Sequence, residues 1–198
     1  MSSSWDERYK NKEFVFGTDP NEFFADTLKN IKPGRILLPC EGEGRNAVYA
    51  AKKGWMVEAF DLSIEGKKKA ELLALENDVQ IHFQVADAVK VEFVPETFDV
   101  IALIYAHFPP EIRTFVHQNM IEWLKPGGML LMEAFNPEQL GNNSGGPKDP
   151  DMLYTEEILK IDFDGLKIIM LEKAKITLNE GSRHKGLADV IRFIGVKQ

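Results

Sequence analysis

The sequence predicts an α/β protein in which helices cover both faces of a mainly parallel, seven-stranded sheet, a three-layer sandwich that ends in an antiparallel hairpin. Short apolar runs alternate with amphipathic segments from residue 31 to residue 135, as expected for strand–helix–strand units. The run Phe98–Ile104 is apolar except for Asp99, which is typical of a strand covered on both faces. Two long strand-like segments near the C-terminus have no helical segment between them, so they must pair antiparallel.

Seven segments have the length and apolar pattern of strands. They span residues 35–39, 56–60, 81–85, 98–104, 129–135, 166–178 and 186–196. Helical segments lie between them: one from Arg45 to Lys53, one capped by Ser63 that ends near Asn77, and one that follows Pro109-Pro110. Lys125-Pro-Gly-Gly128 predicts a turn before the fifth strand.

The whole chain, residues 1–198, is predicted to be a single domain with three parts. Residues 1–30 form an N-terminal helical lid. Residues 31–135 form the core of the sheet, which holds its parallel strands. Residues 136–198 add a long loop and the C-terminal hairpin that completes the sheet.

The N-terminal lid and the segment after residue 135 each contain residues that predict local structure. In the lid, Asp19 is expected to cap the main helix, with Pro20 in the first helical position. Residues 136–152 are rich in Gly, Pro and Asn, which predicts a mobile loop.

Composition excludes several classes of protein. Of 198 residues, 44% are hydrophobic, which is enough for a sizeable core, and the net charge of −7 disfavours binding to a nucleic-acid backbone. No apolar run approaches the ~20 residues that span a bilayer, and the N-terminus lacks the apolar part of a secretion signal. Cys40 is the only cysteine, so the expected location is the reducing cytoplasm, and neither a disulfide scaffold nor a metal site is expected.

The most informative segment is the glycine turn between the first strand and the first core helix. Gly42-x-Gly44-x-x-Ala47 fits the fingerprint of a dinucleotide-binding, Rossmann-like unit, and the helix start after it attracts a carboxylate or phosphate. Asp61 ends the second strand, where a ribose-binding acid is expected. These features alone fit a nicotinamide-dependent dehydrogenase and an adenosyl-cofactor enzyme equally well.

Charge separates the two alternatives. Glu41 and Glu43 place two carboxylates in the turn, where a dinucleotide would place its pyrophosphate, and like charges repel strongly in a partly dry site. S-adenosylmethionine carries no phosphate, and its ammonium and sulfonium are compatible with acids. The antiparallel last strand also favours a methyltransferase, because dehydrogenase sheets rarely end that way. The sequence therefore favours the sulfonium cofactor.

Several motifs resemble one family along most of the chain. They are Trp5-Asp-Glu-Arg-Tyr9, Phe14-Val-Phe-Gly-Thr-Asp-Pro-Asn21, Glu41-Gly-Glu-Gly-Arg-Asn-Ala47, Phe60-Asp-Leu-Ser63, Lys125-Pro-Gly-Gly128 and Glu180-Gly-Ser-Arg-His-Lys-Gly186. In these the chain resembles class I S-adenosylmethionine-dependent methyltransferases, and more narrowly the branch related to tellurite-resistance and thiopurine methyltransferases. It departs from the class at Leu38, where many members have an acid, and at Cys40, where many have a glycine.

The resemblance implies a set of cofactor-binding residues. Gly42 and Gly44 would pack under the methionine part of the cofactor, and Asp61 would hold the ribose hydroxyls. Asp87 is either an adenine-binding residue or a turn residue. The full set of expected cofactor contacts is Glu41, Gly42, Gly44, Arg45, Asn46, Asp61, Leu62, Asp87, Ala88 and Ile104. The product of the reaction would be S-adenosylhomocysteine.

The resemblance also implies an acceptor site just past the fourth strand. Tyr105 and His107 are the candidate catalytic residues, and His107 is the preferred base because histidine titrates near neutral pH. The candidate substrate-binding residues are Trp5, Tyr9, Phe16, Arg183 and His184.

The function expected from the sequence is transfer of a methyl group to a small-molecule acceptor. A soft sulfur, selenium or tellurium nucleophile fits best, because it needs no strong base. Two alternatives remain: an NAD(P)-dependent oxidoreductase that uses the same turn, and a non-catalytic adenosyl-cofactor-binding protein. A monomer or weak homodimer is expected, without a nucleic-acid or membrane partner.

Overall fold

A computed structural model describes residues 4–198, so the first three residues of the expected lid lie outside the described residues. The helices are α1 Ser4–Tyr9, α2 Glu22–Leu28, α3 Arg45–Lys52, α4 Ile64–Glu76, α5 Pro110–Trp123 and α6 Glu156–Asp162. The strands are β1 Arg35–Pro39, β2 Met56–Asp61, β3 His82–Val85, β4 Phe98–Ile104, β5 Leu124–Phe135, β6 Leu166–Glu180 and β7 His184–Lys197.

Within residues 4–198, seven strands form one sheet in the order β3-β2-β1-β4-β5-β7-β6. The first five strands pair parallel, and β7 pairs antiparallel with both β5 and β6. The predicted fold class, a Rossmann-like α/β sandwich with a terminal antiparallel hairpin, is confirmed. Because β7 lies between β5 and β6, the hairpin extends the sheet.

Apolar side chains form a core layer on each face of the sheet. Phe24 of α2, Ala47 of α3 and Ala70 of α4 belong to one layer, and Val116 of α5 and Leu159 of α6 belong to the other. In the described part of the chain, none of the helices is both long and apolar enough to cross a lipid bilayer. The carboxyl ends of the parallel strands are left at one edge, where open α/β sheets bind their ligands.

The start of α2 differs from the prediction. Asn21, not Asp19, caps the helix, and its side-chain oxygen accepts a hydrogen bond from the Phe24 N–H at 2.9 Å. The Asn21 N–H in turn donates to the Asn46 side chain at 2.9 Å. This contact to α3 fixes where the helix begins, so the predicted cap at Asp19-Pro20 is wrong by two residues.

The fifth strand begins earlier than predicted. Leu124 pairs with Phe98, and the next paired residues are Met129 and Val100, so residues 125–128 bulge out between them. Gly127 has a φ of +78°, which a glycine adopts readily. The Lys125–Gly128 segment is therefore an irregularity inside the bounds of β5.

The segment 136–152, predicted to be a mobile loop, is tied to the sheet. It contains two short 3₁₀ turns, and the side chain of Gln139 accepts a hydrogen bond from the Asp189 N–H at 2.9 Å. Ser144 donates to the Leu187 carbonyl at 2.5 Å. Both contacts are to β7, so pairing with a distant strand orders a segment whose composition indicates a loop.

Helix α6 was not predicted. Thr155 caps it by accepting a hydrogen bond from the Ile158 N–H at 3.2 Å. Its last residue, Asp162, accepts hydrogen bonds from Thr114 and Arg113 of α5, each at 2.9 Å. A seven-residue helix has little intrinsic stability, so these tertiary contacts, which its local sequence does not reveal, are what hold it.

Candidate active site

The glycine turn between β1 and α3 has the left-handed backbone that its two glycines permit. Gly42 has a φ of +65° and Gly44 a φ of +87°. A Cβ at Gly44 would lie 2.5 Å from the Cβ of Ala70, and one at Gly42 would lie 2.7 Å from the Tyr9 hydroxyl. Gly44 is thus required for close packing against α4, and its expected contact with the methionine part of the cofactor stays a prediction.

Glu41 lies at the start of α3 without a lysine or arginine in an ion pair to it among residues 4–198. One carboxylate oxygen accepts the Ala47 N–H at 2.7 Å, and the other accepts the Asn46 amide at 3.4 Å. Burial raises the pKa of Glu41 to about 7, although these hydrogen bonds and the nearby Arg45 act in the opposite direction. Glu41 therefore supplies a half-buried carboxylate that a ligand cation would stabilise, and it occupies a helix N–H that a phosphate would need.

Glu43, the second acid of the turn, was expected to add an unbalanced negative charge there, but its charge is balanced by Lys69. Its buried carboxylate pairs with Lys69 at 2.7 Å and accepts the N–H groups of Val15 at 2.8 Å and Phe16 at 3.3 Å. It ties the segment before α2 to the glycine turn and does not add an unbalanced charge. The electrostatic case for a cationic cofactor therefore depends on Glu41 and on Asp61.

Asp61 ends β2 and is buried beside the turn. One oxygen accepts the Gly42 N–H at 3.0 Å and the other accepts the Ser63 N–H at 2.9 Å. Burial raises the pKa of Asp61, and no lysine or arginine pairs with it in the described chain. Its backbone contacts hold the carboxylate rigidly at the mouth of the turn, which suits a ligand with hydroxyl donors.

The surface next to Asp61 is apolar and open. Leu62 is 51% exposed and Val85, at the end of β3, is 44% exposed. Asp87 accepts the Val89 N–H at 3.1 Å, so it acts at least as a turn residue. Ala88 is buried in the core layer with α5, and its predicted contact with an adenine would have to be made by its backbone.

An N-terminal strap, residues 4–21, runs over the glycine turn. Tyr9 packs above Gly42, and Trp5 stacks on Tyr9 with 5.5 Å between ring centroids. Arg45 donates to the carbonyls of Phe16 at 3.4 Å and Asp19 at 3.5 Å. The structure thus brings five of the predicted residues together around the turn: Trp5, Tyr9, Phe16, Arg45 and Asn46. The strap covers the place where a ligand would bind.

Tyr105 follows β4 with an unusual backbone, at a φ of +54°. Its hydroxyl donates to Glu133 at 2.8 Å, and its ring meets His184 edge-on at 4.6 Å. Burial and the charge of Glu133 raise the pKa of Tyr105 well above its usual value. Tyr105 is therefore a neutral phenol whose proton is already committed, and Ile104, half-buried, immediately precedes it.

His107 has a different environment from that expected for a base. Its Nδ1 lies 2.7 Å from the Met152 carbonyl oxygen, to which it donates, and its Nε2 accepts the Phe135 N–H at 3.2 Å. Burial lowers the pKa of His107 to about 4. With both ring nitrogens engaged in backbone contacts, His107 has no nitrogen left to take a proton from an acceptor, so its geometry is that of a structural link.

Glu133, at the carboxyl end of β5, is a site residue that sequence reasoning missed. Its fully buried carboxylate accepts hydrogen bonds from Asn21 at 2.6 Å and Tyr105 at 2.8 Å, and it pairs with Arg192 at 2.7 Å. A signal existed: Glu133 is the only charged residue in the apolar run Met129–Phe135. A lone acid near the end of a buried strand indicates a polar site there.

The tip of the β6–β7 hairpin contacts the glycine turn. Glu180 pairs with Arg45 at 2.9 Å and with His184 at 3.1 Å. His184 is buried with its ring 4.5 Å from that of Phe16, and burial lowers its pKa. Arg183 is exposed on the turn, so of the two predicted residues here only His184 lies inside the site.

A cavity of about 480 Å³ lies between the strap and the hairpin. Phe16 and Asn21 contribute from the strap, Tyr105 and Glu133 from the strand ends, and residues 176–181 from β6 and its turn. Asn21 is hydrogen-bonded to Asn46, so the cavity wall directly adjoins the glycine turn. One large cavity beside the turn is the arrangement needed to place a second small molecule next to a bound cofactor.

Comparison with known proteins agrees with this architecture. Residues 36–128 match a protein-family model described as "Methyltransferase domain". The likeness to a methyltransferase domain covers the parallel part of the sheet, from β1 into β5, and a solved structure of the same fold from Methanosarcina mazei, with a TM-score of 0.72 at 18% identity, is described as an S-adenosylmethionine-dependent methyltransferase.

Curated relatives include methyltransferases from plants. Phosphoethanolamine N-methyltransferase 1 of Arabidopsis thaliana is 27% identical over 155 residues, and phosphoethanolamine N-methyltransferase 3 of the same plant is 30% identical over 150 residues. Each alignment covers 75% of this chain and 29% of the relative. The chain thus spans less than a third of the length of these relatives.

Solved structures show the same fold at low sequence identity. A structure reported for the conversion of a disulfide bond into a thioacetal group in echinomycin biosynthesis has a TM-score of 0.80 at 16% identity, covering 98% of this chain and 91% of its own. TehB from Haemophilus influenzae has a TM-score of 0.73 at 17% identity, covering 98% of this chain and 66% of its own. These likenesses show the fold and leave the narrower branch open.

Proposed function

We propose that this protein transfers a methyl group from S-adenosylmethionine to a small molecule whose reacting atom is sulfur, selenium or tellurium. The observation that carries the proposal is the pair of carboxylates at the glycine turn, the half-buried Glu41 and the buried Asp61, neither of which has a lysine or arginine partner within residues 4–198. A buried carboxylate of this kind is stabilised by a ligand that brings its own positive charge.

The residues around the turn fit the parts of the cofactor. Glu41 would pair with the ammonium group, and Asp61 would accept hydrogen bonds from the ribose hydroxyls. The exposed side chains of Leu62 and Val85 offer apolar surface to the adenine ring. Tyr9 and Trp5 of the strap would exclude water from the turn.

A nicotinamide dinucleotide fits the same residues poorly. The Ala47 N–H near the helix start is already bonded to Glu41, so a pyrophosphate would meet a carboxylate where it needs a donor. The oxidoreductase alternative is disfavoured for this reason. A non-catalytic binding protein is also disfavoured, because the 480 Å³ cavity beside the turn gives a second molecule room.

The acceptor is inferred to be soft because neither of the two expected bases, His107 and Tyr105, is free to take a proton. When bound, S-adenosylmethionine supplies a methyl group that the acceptor's lone pair takes, while the bonding electrons stay on the sulfur of S-adenosylhomocysteine. His107 has both nitrogens engaged and the Tyr105 proton is held by Glu133, so the proton of a thiol acceptor leaves to water. The protein's contribution is then alignment, which can lower the barrier by ~7–11 kcal/mol.

Names among the similar proteins are divided on the acceptor, because the plant relatives are named as N-methyltransferases. One structural neighbour is reported for chemistry at a disulfide, and another is TehB, in keeping with the resemblance to tellurite-resistance and thiopurine methyltransferases. We propose the same branch for this protein, acting in the cytoplasm as a monomer or weak homodimer.

The test is a titration of the purified protein with S-adenosylmethionine, S-adenosylhomocysteine and NAD, read by calorimetry. Both adenosyl compounds should bind and NAD should not; binding of NAD alone would overturn the proposal.

Asp61→Ala should weaken cofactor binding at least tenfold, about 1.4 kcal/mol, while the exposed control Asp164→Ala should leave the affinity unchanged. Turnover with a panel of thiols then separates an enzyme from a binding protein.

A further inference from the structure

The cavity beside the glycine turn carries a charge that selects among acceptors. We propose that the cavity binds the acceptor and that this acceptor bears a protonated amine, so that its substrate class is an amine-bearing thiol or its selenium counterpart. This inference rests on the proposed function, because it assigns the second molecule of the same reaction.

The first step is the balance of charge around the cavity. Four acids line it, Asp19, Glu22, Glu133 and Glu180, and one base, Arg192. Arg192 is neutralised by Glu133 at 2.7 Å, and Glu180 is neutralised by Arg45 at 2.9 Å. Asp19 and Glu22 have no ion pair within residues 4–198, so the cavity keeps an excess of negative charge at its rim.

The second step concerns hydrogen-bond direction at the cavity floor. The Tyr105 hydroxyl gives its proton to Glu133 and accepts a long hydrogen bond from the Asn21 amide at 3.5 Å, so it has no proton to donate to a ligand. The Glu133 carboxylate also holds the Asn21 amide at 2.6 Å. The floor therefore offers acceptors of hydrogen bonds more readily than donors, which suits the N–H groups of an ammonium.

The third step excludes an anionic acceptor group. The one basic side chain of the lining, Arg192, lies over the ring of Phe23, with its guanidinium carbon 4.9 Å from the ring centroid. Its Nε is bonded to Glu133. A carboxylate or phosphate entering the cavity would meet a cation that is already balanced and two uncompensated acids, Asp19 and Glu22, at the rim.

An ammonium group on the acceptor also reduces the need for a base, which neither His107 nor Tyr105 is free to supply. A positive charge close to a thiol lowers the pKa of that thiol, so a larger fraction of an aminothiol is the reactive thiolate than of an uncharged thiol at the same pH. The ammonium then remains against the rim acids while the sulfur faces the methyl group. The aromatic rings of Phe16 and Tyr105 line the same cavity and add cation–π attraction.

The charge preference is tested first by binding, with unreactive probes of equal size in the protein saturated with S-adenosylhomocysteine. n-Propylammonium should bind at least fivefold more tightly than n-propanol, and propionate should bind most weakly, as measured by NMR titration. The preference should shrink when salt is raised from about 0.02 M to about 0.5 M, because the rim acids are exposed. Propionate binding as tightly as the ammonium would overturn the proposal.

Two double variants test whether the preference for ammonium depends on the rim acids Asp19 and Glu22. The double variant Asp19→Asn/Glu22→Gln should reduce the preference for ammonium to less than twofold. A control of equal charge change at two remote exposed acids, Glu92→Gln/Asp164→Asn, should keep it. Retention of the full preference in the rim variant would contradict the assignment.

Turnover distinguishes this inference from the proposed function. Values of kcat/KM should fall in the order cysteamine, 2-mercaptoethanol, 3-mercaptopropionate. If the ammonium probe binds selectively but no thiol is methylated, the proposed acceptor chemistry fails and the charge of the cavity stands. If the thiols are methylated and the carboxylate-bearing one is preferred, the proposed function stands and the amine-bearing acceptor is wrong.

Discussion

Two groups of buried or half-buried carboxylates at the ligand-binding edge of the sheet differ in what balances their charge. Beside the glycine turn, Glu41 and Asp61 accept hydrogen bonds from backbone N–H groups and one amide, and neither pairs with an arginine or lysine in the described chain. Beside the cavity, Glu133 pairs with Arg192 and Glu180 pairs with Arg45.

The difference separates acids that bind from acids that hold the structure together. A paired buried carboxylate contributes to folding, because removing it leaves its partner charged and unpaired. An unpaired buried carboxylate costs stability by its desolvation, and a ligand cation recovers that cost. Substitution in the first group should therefore lower ligand affinity, and substitution in the second should lower stability.

The largest expected effect is in the second group. Glu133→Ala removes the partner of Arg192 and of two further donors, so the free energy of unfolding should fall by about 3–5 kcal/mol, measured by urea denaturation. The matched control is Glu138→Ala, which breaks an exposed pair with Lys173 and should cost less than about 1 kcal/mol. Equal losses in the two variants would show that Glu133 does not stabilise the fold.

The next effect concerns the backbone that positions Glu41. Gly44→Ala combines a positive φ with a Cβ placed 2.5 Å from Ala70, so it should lower the free energy of unfolding by about 2–4 kcal/mol. Gly127→Ala is the control, since its φ is +78° but no atom lies within 4 Å of its added Cβ, and about 1 kcal/mol is expected. If Gly44→Ala lowers the free energy of unfolding no more than Gly127→Ala does, the packing of Gly44 against Ala70 does not contribute to stability.

The smallest effect is a pH dependence that arises from Glu41. Its pKa of about 7 in the free protein means that, below pH 7, a proton must be lost before the carboxylate can pair with the cofactor ammonium. Affinity for S-adenosylmethionine should fall by up to about tenfold per unit below this pH, and it should gain nothing further above it, because the cofactor's own α-amino group loses its proton near pH 8. Calorimetry from pH 5.5 to 8.5 measures this directly.

Two variants check the source of the pH dependence. Glu41→Gln should bind the cofactor weakly with a flat profile over this range, whereas the exposed control Glu76→Gln should keep the slope of the unmodified protein. A slope that survives in Glu41→Gln would mean that another group titrates.

Local signals were sufficient for most of the sheet and for one helix start. The apolar run, interrupted only by Asp99, predicts β4 with its observed bounds, Phe98–Ile104. Ser63 caps α4 as expected by accepting the Gly66 N–H at 3.0 Å. The terminal hairpin followed from the absence of a helical segment between two strands. These features depend on neighbours in the sequence, which is why the sequence reveals them.

Contacts between distant segments account for what the sequence did not reveal. Arg45 and Glu180 are 135 residues apart, and Glu43 is satisfied by Lys69 and by the strap, so neither the partner of the arginine nor the neutralisation of the second turn acid follows from local pattern. His107 illustrates the same limit. Its position after β4 indicates a site residue, whereas its two backbone contacts come from β5 and from Met152.

Because Trp5 stacks on Tyr9 above the glycine turn, its fluorescence should report whether a ligand is bound there. Trp55 and Trp123 are buried in the core, and Trp5 is the exposed indole of the three. Any molecule that enters beneath Tyr9 changes the surroundings of that single ring, so the emission spectrum of the unlabelled protein should follow ligand entry and departure in real time.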